Sequence, residues 1–128
     1  MKRNIEFEQL FERANAAGRE AANALTPRPM AVQMATGLTD GFDWNRPYDV
    51  VADGVCGFAW VKIRPANGAF GRWLKATGKV RYAAYGGGYD IWISDYNQSV
   101  QKKEAHAEAM AAVLREAGIK AYGQSRLD

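Results

Sequence analysis

One cysteine and one histidine stand among the 128 residues, with only four prolines. Cys56 therefore has no partner for an internal disulfide, and with His106 alone beside it there are too few soft ligands for a zinc cage. No apolar run approaches the ~18 residues of a membrane span, and no charged, then apolar, then small-residue leader opens the chain. These absences lead to the expectation of a soluble cytoplasmic protein with no membrane partner. Walker-type Gly-Lys-Ser/Thr and dinucleotide-binding glycine patterns are also missing. Asp40, Asp43, Asp49 and Asp53 crowd one region but lack the ligand spacing and closing Glu of a calcium loop; they read as turn and cap residues. No metal and no cofactor are expected.

The sharpest absence is of negative charge. Between Gly54 and Tyr89 there is no Asp or Glu, while Lys62, Arg64, Arg72, Lys75, Lys79 and Arg81 are all basic. The whole chain carries 17 basic and 14 acidic residues, a formal charge of +3, so outside this segment acids outnumber bases. The segment also contains Phe58, Trp60, Phe70, Trp73, Tyr82, Tyr85 and Tyr89. Positive charge interleaved with aromatic rings is the composition that single-stranded nucleic acid binding requires. With 48% apolar residues the chain can fill one core, and a single domain over 1–128 is expected.

Ile5, Leu10, Phe11, Ala14, Ala17, Ala21 and Leu25 recur at helical spacing, which predicts a helix from about Asn4 that ends at Thr26-Pro27-Arg28-Pro29. Gly18 weakens it. Met30 to Met34 reads as a short strand. A long irregular connection follows to Gly54, with a short strand at Asp49 to Val51. Val55 to Ile63 alternates as a strand, sending Val55, Gly57, Ala59, Val61 and Ile63 one way and Cys56, Phe58, Trp60 and Lys62 the other. Asn67 is placed to cap a helix running through Thr77, with Gly78 as its stop. Lys79 to Tyr85 and Tyr89 to Ser94 predict a hairpin across Gly86-Gly87-Gly88.

Ser99 precedes a helix from Val100 to Ala117, whose apolar side is read as Ala105, Ala109, Met110, Val113 and Ala117. Gly118 ends it, and Ile119 to Tyr122 returns as a strand. From Val55 the order is strand, helix, strand, strand, helix, strand. The fold expected is α+β, a ferredoxin-like βαββαβ two-layer sandwich, with residues 1–54 as an appended helix and irregular extension.

In that topology the first and third strands are central and both helices cover one face, by fold-level analogy. Alternation then places Phe58, Trp60 and Lys62 on the other face with Trp92, Arg81 and Tyr85. Two readings of the rings stand: core, covered by the N-terminal helix with Phe7, Phe11 and Trp44 or by a second subunit of a homo-oligomer, or an open ligand face. For the latter, Phe58, Trp60 and Trp92 stack, and Lys62, Arg64 and Arg81 hold phosphate. Gly57-Phe58-Ala59-Trp60-Val61-Lys62-Ile63 resembles the RNP1 stretch of RNA-recognition domains. The resemblance implies base stacking on Phe58 and Trp60. It departs at Cys56, Trp60 and Ile63, and by lying on the first strand of the unit rather than the third. Gly68-Ala69-Phe70-Gly71 has the spacing of the KH-domain GxxG loop, but its apolar middle pair reads as a packed helix start.

A thiol enzyme would have to pair Cys56 with His106, with Asp95 or Asn97 orienting the ring. Cys56 sits near the start of a predicted strand rather than at a helix N-terminus, and His106 shares a stripe with Met110 and Val113, so a binding module is preferred to an enzyme.

Cys56-Gly57-Phe58-Ala59-Trp60-Val61, Tyr85-Gly86-Gly87, Tyr96-Asn97-Gln98-Ser99, Lys103-Glu104-Ala105-His106-Ala107, Val113-Leu114-Arg115-Glu116-Ala117-Gly118-Ile119, Ala121-Tyr122 and Ser125-Arg126-Leu127-Asp128 resemble a group of short phage-encoded proteins without an assigned activity. The likeness spans about Val55 to Asp128. It implies a setting, the cytoplasm of an infected bacterium, where small phage proteins commonly bind host or phage components. The aromatic and basic face leads to the expectation of single-stranded nucleic acid or a nucleotide as partner, with a host enzyme or defence protein that the module inhibits as the alternative.

Overall fold

Alternation along residues 57–64 decides the architecture. The computed structural model describes residues 2–34, 41–52, 54–80, 87–97 and 99–128. Gly57–Arg64 forms a strand, the third in chain order (β3), after the short strands β1 (Met30–Val32) and β2 (Asp49–Val51). β4 (Tyr89–Ile93) and β5 (Lys120–Leu127) flank β3, both antiparallel to it, in the order β4-β3-β5. Ala59, Val61 and Ile63 of β3, Tyr89, Ile91 and Ile93 of β4 and Ala121 of β5 are buried on one face. Three helices supply the rest of that core: α1 (Lys2–Ala24), α2 (Ala69–Ala76) and α3 (Val100–Glu116).

The N-terminal helix is part of the core rather than an appendage. Leu10 and Ala14 join the main apolar cluster, and the rings of Phe7 and Phe11 lie against Trp73 at 5.9 and 6.1 Å. Ala14, Gly18 and Ala22 are buried at intervals of four residues, a ridge of small side chains on which α3 seats closely. Gly18 is needed there, because a Cβ on it would come within 2.5 Å of the His106 ring. Ile5, expected on the stripe, is 60% exposed. Nine residues separate it from Ala14, which at 100° per residue puts it on the opposite side.

Other expectations need correction. Val55 is exposed and sits before the strand; its carbonyl accepts from Val100 N–H. Asn67 does not cap α2: Gly68 is the N-cap, with no side-chain hydrogen bond. The buried stripe of α3 runs through Lys103, His106, Ala107, Met110, Ala111 and Leu114, so Ala117 is outside it and Leu114 inside. Ser99 does cap α3, its Oγ accepting from Lys102 N–H at 3.3 Å, and Gly118 follows with a φ of +88°. The last strand runs five residues beyond Tyr122, to Leu127. β1 and β2, foreseen as separate pieces, pair antiparallel as a second small sheet. The strand expected over Lys79 to Tyr85 and the Gly86-Gly87-Gly88 turn fall largely outside the described residues.

Candidate nucleic-acid interface

The sheet face turned away from the helices is a grid set by register. Opposite residues on neighbouring antiparallel strands point the same way. Trp92, Trp60 and Gln124 therefore form one row across β4, β3 and β5, and Asp90, Lys62 and Tyr122 the next. Phe58 stands opposite Arg126, and Arg64 opposite Lys120.

The middle of this grid is aromatic. The Trp60 and Trp92 rings lie 4.9 Å apart at a tilt of 39°, and Phe58 meets Trp92 edge-on at 6.2 Å. Trp92 is 51% exposed and Tyr122 50%, while Phe58 and Trp60 are half-buried. The indole N–H of Trp60 donates to Gln124 Oε1 at 2.9 Å. The Arg126 guanidinium lies 5.2 Å from the centre of the Phe58 ring, holding a cation beside the rings.

The rings that stood ready to cover this face pack elsewhere. Phe7 packs edge-on against Phe70 at 5.3 Å, and Phe11 lies against Trp73 within the helix layer. Trp44, 69% exposed, packs with Phe42 and Tyr48 beside the β1–β2 pair, where Gln33 organises the turn. Asp43 serves that turn, its Oδ1 accepting from Asn45 N–H at 2.9 Å.

The basic segment is spread over both sides of the molecule. Arg72 and Lys75 are exposed on α2, and Lys79 sits over the Phe11 and Trp73 rings at 4.8 and 5.5 Å. Lys62 lies on the aromatic face but is buried, with its ammonium 3.2 Å from Asp90 Oδ1 and 3.4 Å from the Gly87 carbonyl oxygen. Arg64 is exposed at the end of β3. Arg81 and Tyr85 lie outside the described residues. Gln124 and Arg126 were missed because the last strand was ended at Tyr122, and Lys120 and Tyr122, inside the expected strand, were not assigned to this face. The signal for them was the alternation of small Ala121, Gly123 and Ser125 with larger polar partners.

Cys56 and His106 are engaged separately. Cys56 is half-buried, and its backbone forms an isolated antiparallel bridge with Ser99 at the start of α3. His106 is buried, with Nε2 2.8 Å from Asn15 Oδ1 and Nδ1 2.7 Å from the Tyr96 hydroxyl. Burial pushes its pKa below the usual histidine value; the Arg19 charge adds to this and Asp95 opposes it. Burial also raises the Tyr96 phenol, offset by Arg19 and reinforced by Asp95. A neutral ring that donates from Nε2 and accepts at Nδ1 from the phenol satisfies every group. Asp95 pairs with Arg19 at 3.4 Å, not with the imidazole. Among the described residues no three His, Cys, Asp or Glu side chains gather as a metal site, and no helix is long and apolar enough to cross a membrane.

In comparisons with known proteins, no family model, no curated protein and no solved structure matches the chain.

Proposed function

We propose that the aromatic face of the β4-β3-β5 sheet binds single-stranded nucleic acid, with bases stacked on Trp60, Trp92 and Phe58 and phosphates met by Arg126, Arg64 and Lys120. The observation that carries this reading is the Trp60–Trp92 pair. It is set 4.9 Å apart on adjacent strands, with Trp92 half-exposed and a cation within the same patch. Aromatic surface this large is costly to leave in water unless something docks on it. Flat rings beside positive charge suit a base and its phosphate in any sequence. Lys62 contributes by holding the floor of the face through Asp90.

The same reading takes residues 57–127 as ferredoxin-like. Supporting it, β3 lies between β4 and β5 and the helices pack against one face of the sheet. The setting we propose is the cytoplasm of a phage-infected bacterium.

Fluorescence anisotropy of a short labelled oligo(dT) tests the proposal. Three phosphate contacts give a log–log salt slope of about −2. Replacing Trp60 with Ala removes one stacking platform and weakens binding by about 5- to 100-fold. Absence of any shift with micromolar protein at about 50 mM salt overturns the reading. Trp, Tyr and Arg are also the residue types that dominate protein interfaces, and the face carries Trp60, Trp92, Tyr122 and Arg126. Capture of a host protein that survives nuclease and high salt, with no oligonucleotide binding, would assign the face to inhibition of a host protein.

A further inference from the structure

Resting on the reading of this face as a nucleic-acid site, we infer that Gln124 makes it selective for bases that present a keto oxygen, thymine or uracil and guanine, over those that present an amino group in its place. The argument starts from the one polar contact inside the aromatic row. An indole N–H can only donate. Because Trp60 Nε1 lies 2.9 Å from Gln124 Oε1, the orientation of the Gln124 amide is set: oxygen toward the indole, NH₂ away from it. Gln124 is exposed, so both outward N–H donors face solvent beside the ring on which a base would stack.

A base lying on Trp60 meets Trp92 on one side and Gln124 on the other, since the three share a row. The edge that reaches Gln124 encounters donors. Thymine O4 and guanine O6 accept from them, whereas the amino groups of cytosine and adenine bring donor against donor. The two-pronged amide contact that would favour adenine needs the amide oxygen and nitrogen presented together, and here the oxygen is turned to the indole.

Oligo(dT) and oligo(dC) of equal length isolate the effect, because both are pyrimidine strands that differ at the C4 substituent. The full chain should bind dT about 3- to 10-fold more tightly than dC, the size of one hydrogen bond gained against one donor clash. Gln124→Glu retains an acceptor for Trp60 and presents only acceptors outward, so it should lower affinity for both and invert the ratio toward dC. Gln124→Ala should bring the ratio near one. Near-UV circular dichroism of the tryptophans checks that each variant keeps its fold. Equal wild-type affinity for dT and dC, or a ratio unmoved by Gln124→Glu, overturns the inference while leaving the binding site standing. Absence of binding to either strand overturns the underlying reading instead.

Discussion

At the scale of single residues, the contact between Gly18 and His106 shows how a poor helix former becomes necessary. The missing Cβ lets the imidazole lie against α1, and both ring nitrogens are then satisfied across elements, by Asn15 of α1 and by Tyr96 of the turn after β4. Arg19 on α1 and Asp95 in that turn are the charged groups facing the ring. The folded state holds His106 more neutral than its ordinary value of about 6.5. Between the folded pKa and that value the unfolded chain therefore binds more protons. The stability this neutral ring provides is fully present above about pH 6.5 and is lost as pH falls through the folded value. Melting temperature measured from pH 7.5 to 5 should decline, and His106→Gln, less stable at neutral pH, should show a flatter acid limb. An unchanged acid limb in that variant would place the sensitivity elsewhere.

The elements differ in what they owe to local pattern and what to tertiary contact. α1 earns its place by packing: Leu10→Ala should cost about 2–4 kcal/mol in denaturant unfolding, as for a core leucine. A cost below about 0.5 kcal/mol, the range of surface changes, would mark α1 as an appendage after all. Its existence and end were legible, because a long amphipathic stretch closed by two prolines has few alternatives. Its burial was not. The small ridge Ala14-Gly18-Ala22 carries almost no hydrophobic signal, and only the presence of α3 reveals its purpose.

β3 and β4 were legible from strict alternation of large side chains. β5 was half-legible. Its second half, Gly123-Gln124-Ser125-Arg126, has low strand propensity and holds its conformation through pairing with β3. Gly123 packs closely under α3: a Cβ on it would stand 3.2 Å from the Glu108 backbone nitrogen and displace the Glu108 carboxylate. The stretch looks like a tail in sequence for that reason, and Gln124 and Arg126 of the candidate face went unseen with it.

At the scale of the whole molecule, charge and aromatic rings part company. The acid-free segment was expected to set Lys62, Arg64 and Arg81 beside the rings, but Lys62 is committed to Asp90, and the segment's helix carries Arg72 and Lys75 on the other layer. The cations beside the rings come largely from β5, distant in sequence and adjacent in register. Phe58, Trp60 and Trp92 were correctly grouped, because period-two alternation and an antiparallel neighbour suffice to bring them together.

The four tryptophans report on three environments and make the most direct test: Trp44 beside the small β1–β2 sheet, Trp73 in the helix-layer core, Trp60 and Trp92 on the candidate face. In an N–H correlation spectrum, titration with oligo(dT) should move the indole signals of Trp60 and Trp92 and leave those of Trp44 and Trp73 in place. Movement of Trp44 or Trp73 alone, or of none of the four, would contradict the assignment of this sheet face as the binding surface.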